Sequence, residues 1–169
     1  MAQINATVGD LKGNTQLILE YARKAAEARA DLVAFPEMAM TGYPPLDLLP
    51  PRETRPPAGS RKPEQESFVR LNKQYVYDLA KELPRITAVV GFVDYDEVNL
   101  FNAAAVISEG KVQSVVHKTL LPTYDVFDEQ RYFTSGLVNN PVKIIRKRSK
   151  QIAAVLWFRL FVERFVDRH

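Results

Sequence analysis

The sequence of 169 residues predicts an α/β fold. Two observations carry that expectation: helical stripes over 14–30 and 67–83, and short, continuously apolar runs over 31–35 and 86–93 that follow them. A third is Glu109-Gly110, a tight-turn pair between two apolar runs, which adds an antiparallel meander after the helices.

Taken in order, Ile4 to Val8 reads as the end of a first strand. Asn14 caps a helix running to about Ala30, with Ile18, Ala22, Ala25 and Ala26 on its apolar face and the pairs Glu20/Lys24 and Arg23/Glu27 outside. Asp31 to Phe35 is a buried strand, so strand–helix–strand order suggests a crossover unit. The stretch 44–63 is a proline-rich loop, least core-like from Arg52 to Lys62. A second helix spans Ser67 to Leu83, with Phe68, Leu71, Tyr75, Leu79 and Leu83 on one stripe and Pro84 ending it. Ile86 to Val93, Leu100 to Ile107 and Val112 to Val116 form the meander. After a long connection, Val142 to Ile145 and Ile152 to Trp157 are two further candidate strands.

Composition narrows the function classes. A hydrophobic share of 46% and a charged share of 25% belong to an ordinary globular chain. No apolar run approaches a membrane span, and Met1 is followed by no basic segment and apolar core, so no membrane partner is expected and the cytoplasm is the default location. The net charge of +3 gathers at Lys143, Arg146, Lys147, Arg148 and Lys150. That segment is either a solvated turn between strands or a patch for anionic partners; the lack of interleaved aromatics argues against nucleic acid.

Two residues stand where chemistry is usually placed. Glu37 follows Phe35-Pro36 at the carboxyl end of a buried strand, where a sheet fixes the backbone and a loop opens the site. It reads either as a general base or as an exposed strand-end glutamate. Lys118 follows the strand ending at Val116 and is either a fixed cation for an oxyanion or a surface lysine. His117 reads as a packed or solvent-facing histidine.

The joint pattern is more specific. Phe35-Pro36-Glu37, Thr41-Gly42-Tyr43-Pro44-Pro45, Asn102-Ala103-Ala104-Ala105-Val106 before Gly110-Lys111-Val112, and the segment from Lys118 to Phe133 occur together and in order. The set resembles the nitrilase superfamily of carbon–nitrogen hydrolases. Gly42-Tyr43-Pro44-Pro45-Leu46-Asp47-Leu48 and Lys118-Thr119-Leu120-Leu121-Pro122-Thr123-Tyr124-Asp125 are more narrowly similar to the glutaminase domains of glutamine-dependent NAD synthetases. The resemblance covers most of residues 2–135 and fits poorly over 52–64. It implies a partial nitrilase-type α-β-β-α sandwich. It also implies glutamine as substrate, with Glu37 as general base, Lys118 stabilising the tetrahedral intermediate, and Tyr43, Tyr124 and Phe127 lining the glutamine pocket. Each aromatic is equally readable as core packing. No metal is implied; ATP and deamido-NAD would belong to a separate synthetase domain, so no cofactor is expected in this chain.

One member of the set is missing. The family attacks the amide with a Cys thiolate, and the chain contains no Cys. Where the family has Cys-Glu-Asp after a strand, the sequence reads Trp157-Phe158-Arg159-Leu160. The expectation is therefore a single incomplete domain over 1–169, with a divergent tail over 157–169, arising by truncation or frameshift and inactive in glutamine hydrolysis. A half sandwich would leave one apolar sheet face uncovered and favour association. Two alternatives stay open: a piece of another amidase or nitrilase of the superfamily, and a non-catalytic module that joins an intact homologue or a homo-oligomer. In the latter, Leu160, Phe161, Phe165 and Val166 would form an amphipathic contact helix; the tail reads otherwise as an accidental reading frame.

Overall fold

The computed structural model describes residues 1–52, 63–123 and 128–136, and within the second helix the side chains from 67 onward. The elements are α1 (Leu11–Glu27), β1 (Leu32–Ala34), a 3-10 turn (Leu46–Leu48), α2 (Pro63–Glu82), β2 (Thr87–Tyr95), β3 (Leu100–Ser108), β4 (Lys111–His117) and the short α3 (Glu129–Tyr132). They form the expected α/β architecture around one sheet of order β1-β2-β3-β4. β1 runs parallel to β2, and the other two pairs are antiparallel.

At the amino end the structure departs from expectation. Asp10, not Asn14, caps α1, its carboxylate accepting from the Gly13 amide at 2.8 Å. Asn14 lies one turn inside and is buried; it accepts from Thr7 N and donates to the Thr7 and Met40 carbonyls. Because Asn14 takes both backbone groups of Thr7, Ile4 to Val8 does not enter a strand ladder, and Ala2 N to Ala34 O at 2.9 Å ties the amino end to β1. The crossover unit is accordingly β1–α2–β2, one element later than the sequence suggests. α1 ends at Glu27, with Arg29 at φ 58° closing it before Ala30.

α2 begins at Pro63, a position that loses nothing by lacking an N–H. Its buried stripe is Val69, Asn72, Val76, Leu79 and Ala80, flanked by half-buried Phe68, Tyr75 and Leu83. Leu71, placed on the stripe by the sequence, is 50% exposed. Asn72 holds the inward position instead, because β1 stops at Ala34 and leaves the outer edge of β2 open at Val93. The Asn72 amide donates to Val93 O and accepts from Val93 N, doing for that edge what a neighbouring strand would do.

The meander matches its sequence reading closely. Glu109 and Gly110, both at positive φ, form the two-residue turn that closes the Ser108–Lys111 pair. The helix-side core joins Ile18, Leu19 and Ala22 of α1 to Val76 and Leu79 of α2 and to Val90, Phe92, Ala103, Ala105 and Ile107 of the sheet. On the other face, Ala34, Val89, Ala104 and Val106 are buried, each 4% exposed or less, so the uncovered apolar face expected from sequence is not found at these positions. Among the described residues no helix is long and apolar enough to cross a membrane. The expected strands over 142–145 and 152–157, the basic segment, the tail from 157 and most of the 52–64 loop lie outside the described residues.

Candidate functional site

The site forms where β1, β3 and β4 bring their ends together. After Phe35 pairs with Val89, the chain turns across the sheet and Met40 N bonds to Gly91 O at 3.0 Å. Gly91 is required there: a Cβ would lie 2.4 Å from Met38 N and 2.8 Å from Pro36 O. This close passage fixes Glu37 over the sheet end. Met38 and Gly42, at φ 51° and 74°, complete the turn, and Gly42 packs against the Val8 backbone where no Cβ fits.

From the other side, β3 presents Asn102 and β4 delivers Lys118 one residue beyond its end. Lys118 N donates to Asn102 O at 2.8 Å, and Gly136 N donates to Lys118 O at 2.9 Å, so the lysine backbone is held on both sides. The Lys118 ammonium is buried, 2.9 Å from Glu37 Oε1 and 2.7 Å from Glu129 Oε1. Asn102 Nδ2 donates to Glu37 Oε1 and, at 3.4 Å, to Glu129 Oε2. Lys118 is thus a buried cation between two carboxylates, and the surface-lysine reading does not hold. The Glu37 side chain is 24% exposed, so the site opens to solvent on its side.

Glu129 was not singled out by sequence, and it is central. It opens α3, is 4% exposed, and pairs with Lys118. Burial and the charge of Glu37 push its carboxyl up to about 6, against the opposing pull of Lys118 and Asn102. The available signal was an acidic residue placed between Phe127 and Phe133 in the string that begins at Lys118. Asn102 carried a similar signal, heading the Asn102-to-Val106 string without an assigned role. Tyr43 is 39% exposed; burial, then the charges of Glu129 and Glu37, push its phenol up to about 12. Its peptide bond to Pro44 is cis. Tyr124 and Phe127 lie outside the described residues. Among the described residues no group of acidic or histidine side chains is arranged to hold a metal ion.

A sheet whose ends converge a glutamate, a buried lysine and a second carboxylate defines a class: the chain belongs to the carbon–nitrogen hydrolase family, whose model matches residues 1–155. Within that class the chain is 38% identical over 138 residues to the glutamine-dependent NAD(+) synthetase of Thermotoga maritima, covering 80% of this chain and 21% of that protein. It is 36% identical over 169 residues to the Aquifex aeolicus protein of the same name, covering 97% and 27%. The solved glutamine-dependent NAD+ synthetase of Acinetobacter baumannii superposes with a TM-score of 0.66 at 36% identity, over 80% of this chain and 23% of that one. The chain therefore spans about a quarter of the length of these relatives, and its fold is that of the nitrilase superfamily.

Proposed function

We propose that this chain carries the general-base and oxyanion half of a glutamine amide-hydrolysing site that supplies ammonia for NAD synthesis. The observation that carries the reading is the 2.9 Å contact of Lys118 Nζ with Glu37 Oε1 at a sheet end. A carboxylate fixed beside a buried cation can take a proton from an incoming nucleophile, and the cation can stabilise the oxyanion formed on the amide carbon. Tyr43, Tyr124 and Phe127 are the proposed walls of the pocket, packing the methylenes of glutamine. ATP and deamido-NAD are assigned to a synthetase portion, since the 169 residues hold no Ser-Gly-Gly phosphate loop.

Acyl transfer through a thioester needs a thiol, and the chain has no Cys. Taken alone it is proposed to bind glutamine without hydrolysing it; deleting a catalytic nucleophile lowers kcat by about 10⁶. Two measurements test this. Ammonia release from glutamine should be undetectable, and release abolished by Lys118→Ala would overturn the inactive reading. In a titration followed by NMR, L-glutamine should perturb the Glu37 and Lys118 signals more than aliphatic amides or nitriles do; equal or absent perturbation would overturn the glutamine site.

The missing thiol also favours a second reading, a non-catalytic subunit that associates with an intact homologue or with its own copies. Co-expression with a complete relative, followed by affinity purification and mass measurement, decides it: a defined mixed assembly supports it, and separate elution overturns it.

A further inference from the structure

We propose that Asn102 is a positioning residue that closes Glu37, Lys118 and Glu129 into a ring and thereby turns one oxygen of Glu37 toward the open side of the site. The inference rests on Glu37 being the proton acceptor, and it extends that reading to a residue that touches no substrate.

Four observations support it. Lys118 Nζ bridges Glu37 Oε1 and Glu129 Oε1, and Asn102 Nδ2 bridges Glu37 Oε1 and Glu129 Oε2. One ammonium and one amide thus join the same two carboxylates from both sides. Both bonds to Glu37 fall on Oε1, while its side chain is 24% exposed, which leaves Oε2 as the oxygen free to face an incoming proton. Asn102 itself is 1% exposed, and its Oδ1 is buried without a hydrogen-bond partner. An amide flip would set that oxygen against two carboxylates, so the unsatisfied acceptor follows from using both amide protons on the acids. Last, Asn102 O receives Lys118 N at 2.8 Å, so the residue sets the lysine backbone as well as the acids.

A neutral amide suits the task. A second cation would pair off Glu129 completely and quench Glu37; an apolar side chain would leave the acids to repel one another around Lys118 alone. Among the described residues the charged groups of the ring are Glu37, Lys118 and Glu129, from the β1 turn, the end of β4 and α3, and Tyr43 of the 42–45 loop feels the charges of both acids.

The test uses the full chain without ligand, so it is independent of glutamine binding. In the wild-type protein, the two side-chain amide protons of Asn102 should lie downfield and shift with pH at the same midpoint as the Glu129 carboxyl carbon. Amide signals that ignore that titration would overturn the ring. In Asn102→Leu, which keeps the volume without donors, the Glu129 midpoint should rise by one unit or more, a tenfold loss of ionisation. Asn102→Gln, which retains the donors on a longer stem, should restore part of that shift, a rescue that a purely packing role does not predict. A folded Asn102→Leu protein with an unchanged midpoint would overturn the proposal, and if that variant does not fold, the wild-type amide titration decides.

Discussion

The two faces of the sheet end at β3 and β4 carry two charged clusters built on adjacent residues. Asn102 and Lys118 face the candidate site, while their neighbours Phe101 and His117 turn to the helix side, as alternation along a strand requires. There His117 stacks on Phe101 with ring centroids 4.1 Å apart, and its Nε2 lies 2.8 Å from Asp94 Oδ2. Lys73 of α2 lies 2.6 Å from Asp94 Oδ1 in an ion pair. The helix-side cluster thus gives one acid two bases, and the site-side cluster gives one base two acids. Burial pushes the Asp94 carboxyl up, but His117 and Lys73 together outweigh it and hold the group below its ordinary value. For Glu129 the balance goes the other way. A cluster whose acid is satisfied fastens a helix to a sheet; one with a surplus acid keeps a group whose proton can move.

The largest expected effect breaks the site side. Lys118→Met removes the cation paired with two buried or half-buried carboxylates and should cost about 3–5 kcal/mol of unfolding free energy at pH 7. Urea titration measures it, and a loss below about 1 kcal/mol would show that solvent already screens the acids.

Next comes the support under Glu37. Gly91→Ala puts a methyl group 2.4 Å from Met38 N, backbone that cannot rotate away, so the 36–40 turn must lift. Overpacking of this kind costs about 1–3 kcal/mol, and here it should also separate Glu37 from Lys118. A melt coupled to the Lys118 Nζ chemical shift checks both; an unchanged shift would mean that the turn is held from elsewhere.

Asp94→Asn tests the helix side and should cost about 1.5–3 kcal/mol, because Lys73 and His117 lose their shared charged partner. The sign with pH follows from a folded-state pKa below the ordinary 3.8. The Asp94 contribution is present above 3.8 and is lost as pH falls through the lower folded value. Wild-type stability should therefore drop in acid more steeply than that of Asp94→Asn, and parallel acid limbs would refute the assignment.

Where the sequence was readable, one local pattern decided the element. The Glu109-Gly110 turn and its flanking apolar runs defined the meander to within a residue or two, and Glu37 and Lys118 were legible because each follows a strand. Where it misled, a long-range polar contact overrode the local pattern. Asn14 looked like a cap but bonds Thr7 and Met40; Leu71 looked inward, yet Asn72 was needed at Val93. Glu129 and Asn102 escaped notice for the same reason, since each acquires a role only when strands distant in sequence bring Lys118 between them.

The smallest effect is the one that best separates the two clusters. Glu129 is raised from 4.5 to about 6 in the folded chain, so its contribution to stability is full below pH 4.5 and is lost as pH rises through 6. At 1.36 kcal/mol per pH unit the loss is at most about 2 kcal/mol. Glu129→Gln cannot ionise, so its unfolding free energy should be flat across pH 4.5–7 where the wild type declines. That slope is opposite in sign to the Asp94 limb and lies in a separate window, so one pH series of urea titrations on both variants assigns each limb to its face of the sheet. A wild-type profile flat above pH 4.5 would mean that Lys118 satisfies both acids together, and the site would then hold no surplus carboxylate to take a proton.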